Sequence, residues 1–252
     1  MFVVTGGGSG IGRALALSLA SRGKSVLIVG RRELPLVETA KLANHISYLC
    51  ADVATDAGRR AVLQHLPTDE VLEGLVHNAA IIDPIAPIKQ IDQQSWHQLL
   101  AVNLDAPLFL TQLLYDKLIH GRVLHIGSGA AYMAIEGWTG YCVSKASLAM
   151  LTQCWQLECE EIAFASVMPG IVDTPMQGTI RQATTMNQQK HDFFMKLYNQ
   201  HQLITSETVA LFLTWLLLDI DPTQFSAQEW DIYDKSHHAA WLVAPHQVPE
   251  LE

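Results

Sequence analysis

Met1-Phe2-Val3-Val4-Thr5-Gly6-Gly7-Gly8-Ser9-Gly10-Ile11-Gly12-Arg13-Ala14-Leu15-Ala16-Leu17 decides the fold. A short β-branched run meets a glycine-rich turn, and an amphipathic helical segment follows at once. Glycines let the backbone turn sharply and let a pyrophosphate approach the amides at a helix N-terminus, where the dipole favours an anion. A glycine turn alone also serves any loop that needs positive φ. Its place between a strand and a helix favours the anion-binding reading, with Gly6, Ser9, Gly10 and Ile11 nearest the phosphates. The spacing Gly6-x-x-x-Gly10-x-Gly12 differs from the Gly-x-Gly-x-x-Gly fingerprint, and no Gly-Lys-Ser/Thr ending points to an ATP-hydrolysing loop.

Outward from this unit, apolar runs recur at residues 26–29, 46–49, 74–77, 122–126 and 162–168, each separated by room for a helix. Strands alternating with helices imply a parallel sheet wrapped on both faces. Helices are expected over residues 11–22, 95–118 and 141–158, another is expected to start at a Ser206 cap, and residues 228–233 are expected to add a last strand. The expectation is an α/β, single-domain, Rossmann-like doubly wound parallel sheet of about seven strands, covering residues 1–252. No internal repeat or Gly/Ser linker marks a second domain. The Gln-, Thr- and Met-rich stretch at about 175–203 follows a Pro-Gly turn and reads as a mobile helical flap over the site.

Composition narrows the function classes. With 49% hydrophobic and 16% charged residues, the chain of 252 residues can bury one sizeable core. A formal charge of −9 disfavours nucleic acid and anionic lipid as partners, which leaves a small molecule. Residues 209–218 are too short for the roughly 20 residues of a membrane crossing and read as a buried helix. The start reads as a strand rather than a signal segment, and Cys50, Cys142, Cys154 and Cys159 form no Cys-x-x-Cys pair. They are read as reduced, structural thiols of a cytoplasmic protein. The eleven histidines show no ligand spacing, and the side chains of adjacent His237 and His238 diverge, so no metal is expected.

The tip of the second strand refines the ligand. A binder of NAD(H) usually offers a carboxylate there to the ribose hydroxyls, whereas this chain reads Val29-Gly30-Arg31-Arg32. A guanidinium can clamp a 2′-phosphate with two parallel hydrogen bonds, so NADP(H) is preferred with Arg31 as the clamp. Glu33 leaves NAD(H) as the alternative, both arginines then being solvated turn residues.

Tyr141 and Lys145 stand four apart in Gly140-Tyr141-Cys142-Val143-Ser144-Lys145-Ala146, with Ser128 upstream. On a helix the two share one face, and a cation beside a phenol lowers its pKa from about 10 towards neutrality. An ordinary amphipathic helix offers the same spacing, so the surrounding motifs decide.

Taken together, the glycine loop, Asp52-Val53, Asn78-Ala79-Ala80, Asn103, Ser128, Tyr141-x-x-x-Lys145 and Pro169-Gly170 resemble the short-chain dehydrogenase/reductase family in its own order. Ser128-Gly-Ala-Ala131, Gly137-Trp138, Tyr141-Cys142-x-Ser144-Lys145 and Pro169-Gly-x-Val172-Asp173-Thr174 look like its sepiapterin and benzil reductase branch. The resemblance implies that Tyr141 protonates a carbonyl oxygen and that Ser128 donates a hydrogen bond to it. It implies that Lys145 lowers the Tyr141 pKa and holds the nicotinamide ribose, while Asn103 links Lys145 through water to solvent. Asp52 and Val53 would meet the adenine, Asn78 and Ala79 the adenosine ribose, and Pro169, Gly170, Val172 and Thr174 the nicotinamide carboxamide. Asp52 could equally cap the next helix, and His77 stands where the family usually has Asn.

By the same likeness Asp231, in Trp230-Asp231-Ile232-Tyr233-Asp234, would hold the substrate, or it is an edge-strand carboxylate in solvent. Trp138, Met133, Met168 and Met176 would line an apolar pocket for an aromatic or vicinal dicarbonyl compound, or belong to the core. The function expected is NADPH-dependent reduction of a small ketone or dicarbonyl. The alternatives are an alcohol dehydrogenase running the same site in the oxidative direction and a non-catalytic cofactor-binding regulator. Family members usually pair through the helices at 95–118 and 141–158, which implies a homodimer or homotetramer. The tail from residue 241 on either covers its own chain or reaches a neighbour.

Overall fold

β-Branched runs bounded by glycine and polar turns become strands in the computed structural model, which describes residues 1–250. The strands are β1 (Phe2–Thr5), β2 (Val26–Gly30), β3 (Ile46–Cys50), β4 (Gly74–His77), β5 (Arg122–Ile126), β6 (Ala163–Met168) and β7 (Trp230–Asp231). They form one sheet in the order β3-β2-β1-β4-β5-β6-β7, with every neighbouring pair parallel. The expected last strand is only two residues long, pairing Val167 with Trp230 and Met168 with Asp231.

Successive side chains point to opposite faces, so each strand feeds two cores. Phe2, Val4, Val26 and Ile28 pack on one face beneath α1 (Gly10–Ser21), while Val3, Leu27, Val29 and Leu75 pack on the other. The remaining helices include α2 (Glu33–Ala40), α3 (Asp56–His65), α4 (Gln93–Leu100), α5 (Ala106–Leu114), α6 (Thr139–Glu158), α7 (Pro175–Gln182), α8 (Gln188–Asn199) and α9 (Ser206–Leu218). The chain order reverses beside β1, whose neighbours are β2 and β4, and ligands of open α/β sheets bind in the crevice at that point.

Four details differ from the sequence expectations. The helix expected over 95–118 is interrupted by a π turn at Ala101–Asp105, between α4 and α5. Pro107 lacks an N–H and its ring crowds the carbonyl four residues earlier, which is that of Asn103. A widened turn accommodates it, and such π bulges gather at functional sites. The cap of α9 is Thr205 rather than Ser206, its Oγ1 accepting from the Thr208 amide at 3.1 Å. Cys50 and Cys154 are exposed and only Cys159 is buried, so a structural role fits only the last. The cap of α3 is Thr55, which accepts from Gly58, so the alternative cap reading of Asp52 falls.

Residues 209–218 lie within the buried helix α9, and among the described residues no helix is long and apolar enough to cross a membrane. The tail folds back on its own chain. Trp241 is buried with its ring 5.0 Å from that of Phe212, and His246 Nδ1 meets Thr208 Oγ1 at 3.1 Å. Both ring nitrogens of His237 are engaged, one with the Asp231 carbonyl at 3.0 Å and one accepting from Trp241 Nε1 at 2.8 Å. Residues 251–252 lie outside the described part.

Candidate active site

The glycine turn is stitched to the end of β4. Thr5 Oγ1 accepts from the amides of Asn78 and Ala79, each at 3.1 Å, and Asn78 Nδ2 donates to the Thr5 and Gly6 carbonyls at 2.9 and 3.3 Å. Gly6 has φ +69°, and a Cβ there would stand 2.8 Å from Asn78 Nδ2. A Cβ at Gly12 would come within 2.5 Å of the same atom, so these positions accept only glycine. Ser9 precedes α1 in extended conformation, its side chain making no cap hydrogen bond. The turn therefore offers its backbone to a ligand at the start of α1, as a pyrophosphate cradle requires.

From this cradle one cavity of about 680 Å³ runs across the C-terminal ends of the strands. Every site residue named from the sequence lines it except Asn103. At one end are Arg31, Arg32, Asp52 and Val53, with Asp52 Oδ1 accepting from the Ala54 amide at 3.1 Å. At the other end Pro169 and Gly170 follow β6. Gly170 has φ +79°, and a Cβ there would clash with Ile204 at 2.6 Å. The Thr174 methyl faces Gly10, 3.1 Å from where a Cβ on Gly10 would lie, so the segment after β6 closes against the phosphate turn.

Ser128, Tyr141 and Lys145 meet at the cavity floor. Ser128 begins a 3₁₀ turn at Gly129–Ala131, and its Oγ accepts from the Ala130 amide at 3.1 Å. Tyr141 and Lys145 are 7% and 3% exposed, with Lys145 Nζ 5.7 Å from the phenol ring centre. Nζ donates to the Ile126 carbonyl at 2.7 Å. Burial pushes the Tyr141 phenol up to about 12, against the opposing pull of the Ser128 hydroxyl. Burial also pushes the Lys145 ammonium down to about 8. Removing the phenolate from water opposes the lowering that a neighbouring Lys145 charge favours.

Asn103 is buried in the π turn beside this floor. Its side chain clamps Ile81, accepting from the amide at 2.9 Å and donating to the carbonyl at 2.8 Å, and Nδ2 donates to Ser144 Oγ at 3.0 Å. Ser144 Oγ in turn donates to the Tyr141 carbonyl at 2.8 Å. The π turn thus ties the loop after β4 to the helix that carries Tyr141 and Lys145.

The wall opposite the floor is apolar. Trp138 lies perpendicular to Tyr141, ring centres 5.8 Å apart, and stacks on Phe194 of α8 at 5.4 Å. Met176 and Ile180 of α7 join the same cluster. The expected flap is therefore two helices laid over the catalytic floor. Phe193, Phe194 and Ile180 carry no motif in the sequence, because nothing marks apolar residues of a cover. Asp231 lines the cavity, with Oδ1 accepting from the Tyr233 amide at 3.0 Å.

The cradle that only glycine fits, joined to a floor carrying Ser128, Tyr141 and Lys145, suits a dinucleotide that brings its reactive ring to the phenol. The family model for short chain dehydrogenases matches residues 1–185. Benzil reductase ((S)-benzoin forming) of Bacillus cereus is 29% identical over 225 residues, 82% of this chain and 90% of that protein. L-xylulose reductase of Caenorhabditis elegans is 34% identical over 186 residues, 69% of this chain and 72% of that protein. The crystal structure of a short-chain dehydrogenase/reductase from Saccharomyces cerevisiae superposes with a TM-score of 0.89 at 27% identity, covering 95% of this chain and 98% of that one. The chain is an oxidoreductase of the NAD(P)(H)-binding short-chain dehydrogenase/reductase family, with homologues in its benzil reductase branch.

Proposed function

We propose that the chain reduces a small, largely apolar ketone or vicinal dicarbonyl with NADPH. The observation that carries this is the buried phenol of Tyr141, held neutral by its surroundings beneath an aromatic wall. A neutral phenol is a proton donor, which suits reduction rather than the oxidative direction. NADPH, when bound, supplies the hydride. Ser128 and Tyr141 hold the carbonyl oxygen, and Tyr141 passes its proton to that oxygen as the alcohol forms. Lys145 holds the nicotinamide ribose and keeps positive charge beside the phenol as its proton leaves.

Arg31, which follows β2 and lines the cavity, supports NADPH, because a guanidinium at this strand tip suits a 2′-phosphate. Met176, Ile180, Phe194 and Trp138 support an aromatic substrate, in keeping with the benzil reductases among the relatives. The pairing of two copies rests on exposed apolar side chains along one stripe of α6, Val143, Met150 and Leu157, with Phe109 on α5. Covering such a stripe drives symmetric association. A cytoplasmic setting accords with four free thiols among the described residues.

The test is NADPH consumption over α-diketones, quinones, pterins and hydroxysteroid ketones. Turnover on at least one class is expected, together with a loss of about 10²–10⁴-fold on Tyr141→Phe. No turnover across the panel, or normal turnover by Tyr141→Phe, overturns the reading.

A further inference from the structure

We propose that Glu229, immediately before β7, is a positioning residue that aims the Ser128 hydroxyl by anchoring the turn that Ser128 begins. This rests on the reductase reading above, in which Ser128 holds the carbonyl oxygen. Both carboxylate oxygens of Glu229 are taken by hydroxyls: Oε1 accepts from Ser166 of β6 at 2.8 Å, and Oε2 accepts from Tyr132. Ser166 is 4% exposed, so the carboxylate is fixed to the sheet. A surface carboxylate with no such task leaves its oxygens to water, whereas this one joins β6 to the segment after β5.

Glu229 reaches Ser128 from both directions along the chain. Before Ser128 lies Gly127, whose amide donates to the Val167 carbonyl at 2.8 Å. A Cβ on Gly127 would stand 2.9 Å from Ser166 Oγ and 3.5 Å from Glu229 Oε1, so the two bonded side chains pack directly on this stretch of backbone. After Ser128, the 3₁₀ turn Gly129–Ala131 ends at Tyr132, whose amide donates to the Gly129 carbonyl at 3.1 Å. The Tyr132 phenol then meets the same carboxylate.

The turn needs such a tie, because a single 3₁₀ turn has poor hydrogen-bond geometry. Ala130 packs in the cluster with Trp138 and Tyr141, but Tyr132 and Met133 are 60% and 56% exposed. Ser128 Oγ accepts from the Ala130 amide at 3.1 Å, which leaves its own proton to be given to a substrate oxygen. A turn that tips at its Tyr132 end carries the Ala130 amide with it and swings that proton away from the carbonyl oxygen.

The experiment is a double-mutant cycle on Ser128 and Glu229, measured with NADPH and whichever carbonyl compound of the panel above the native enzyme reduces fastest. Ser128→Ala is expected to lower kcat by about 10²–10³-fold. Glu229→Ala is expected to lower it by about 10–100-fold with the Kd for NADPH unchanged. Glu229→Gln is expected to recover most of that loss, because its amide still bonds both hydroxyls. In the Ser128→Ala background, Glu229→Ala is expected to cost less than about twofold more, since the group it positions is gone. A merely structural part lowers kcat by the same factor in both backgrounds or weakens NADPH binding. Either result, or native kcat in Glu229→Ala, overturns this inference alone. If Glu229→Ala does not fold, Tyr132→Phe, at an exposed position, repeats the cycle. No turnover of the panel by the native enzyme, or native turnover by Ser128→Ala, removes the reductase reading of the site, and this inference with it.

Discussion

Lys145 Nζ lies 5.7 Å from the centre of the Tyr141 ring, yet its hydrogen bond goes to the Ile126 carbonyl, 2.7 Å away. The ammonium is held in place by the end of β5 rather than by the phenol. Both groups are buried, and burial disfavours the charged form of each, which raises Tyr141 to about 12 and lowers Lys145 to about 8.

The pH profile of reduction follows from those directions. Tyr141 keeps its proton throughout the neutral range, so the acid required for reduction is present. Lys145 loses its charge as pH rises through about 8. kcat/KM for carbonyl reduction is therefore expected to fall on the alkaline side of about 8, well before the phenol ionises. A profile flat to pH 10 would show that the Lys145 charge is not needed.

The same burial makes Lys145 a cost to stability. Its folded pKa of about 8 lies below the ordinary 10.5, so below pH 8 the folded chain bears the full penalty of a buried charge, and stability is regained between pH 8 and 10.5. That difference corresponds to about 3 kcal/mol at neutral pH. Lys145→Met removes the penalty and leaves the Ile126 carbonyl unpaired, which returns about 1–3 kcal/mol. The expected outcome is an inactive variant whose Tm at pH 7 equals or exceeds the native value by a few degrees, with the gain shrinking above pH 8. Differential scanning calorimetry at pH 7 and pH 10 measures it, and a Tm lowered by more than about 5 °C at pH 7 contradicts it.

Arg31 governs which dinucleotide is used. It follows Gly30, the last residue of β2, and a guanidinium there matches a 2′-phosphate. Arg31→Ser is expected to lower the NADPH/NADH ratio of kcat/KM by about 10–100-fold, mostly through KM for NADPH. An unchanged ratio would move the role to Arg32, which lines the same end.

How much of this was legible depends on what signal each feature carries. Strands β4 and β5 match the apolar runs read from the sequence, because glycine or polar residues punctuate both ends. The catalytic and phosphate residues were legible through spacing, since chemistry and backbone conformation restrict what can stand there. The π turn was signalled by Pro107 in an otherwise helical stretch, although its consequence, Asn103 clamping Ile81 and Ser144, needed the fold. At Tyr141 spacing reveals the neighbouring cation but not the burial that pushes the phenol up. The cover residues Phe193, Phe194 and Ile180 carry no motif, and only packing brings them to the site.

His77 stands where the family usually has Asn, and it is paired in register with His125 on β5. The rings stack at 5.2 Å, and each is tied to a threonine at 2.8 Å, His77 to Thr111 and His125 to Thr152. Burial holds His77 well below its ordinary value, with His125 adding to the effect, and brings His125 down to about 3, with the Lys145 charge second. Both are neutral in the fold, while an unfolded chain protonates them below about 6.5. A depressed folded pKa gives stability that is full above the unfolded value and is lost as pH falls, so each histidine removes up to about 1.4 kcal/mol per pH unit below about 6. Urea midpoints are expected to fall steeply between pH 6.5 and 4.5. His125→Phe, which keeps the contact with Phe164 and leaves Thr152 bonded to the Leu148 carbonyl, is expected to flatten that slope by roughly half. Equal slopes for native and variant chains would assign acid sensitivity to carboxylates instead and leave the histidine pair without a part in it.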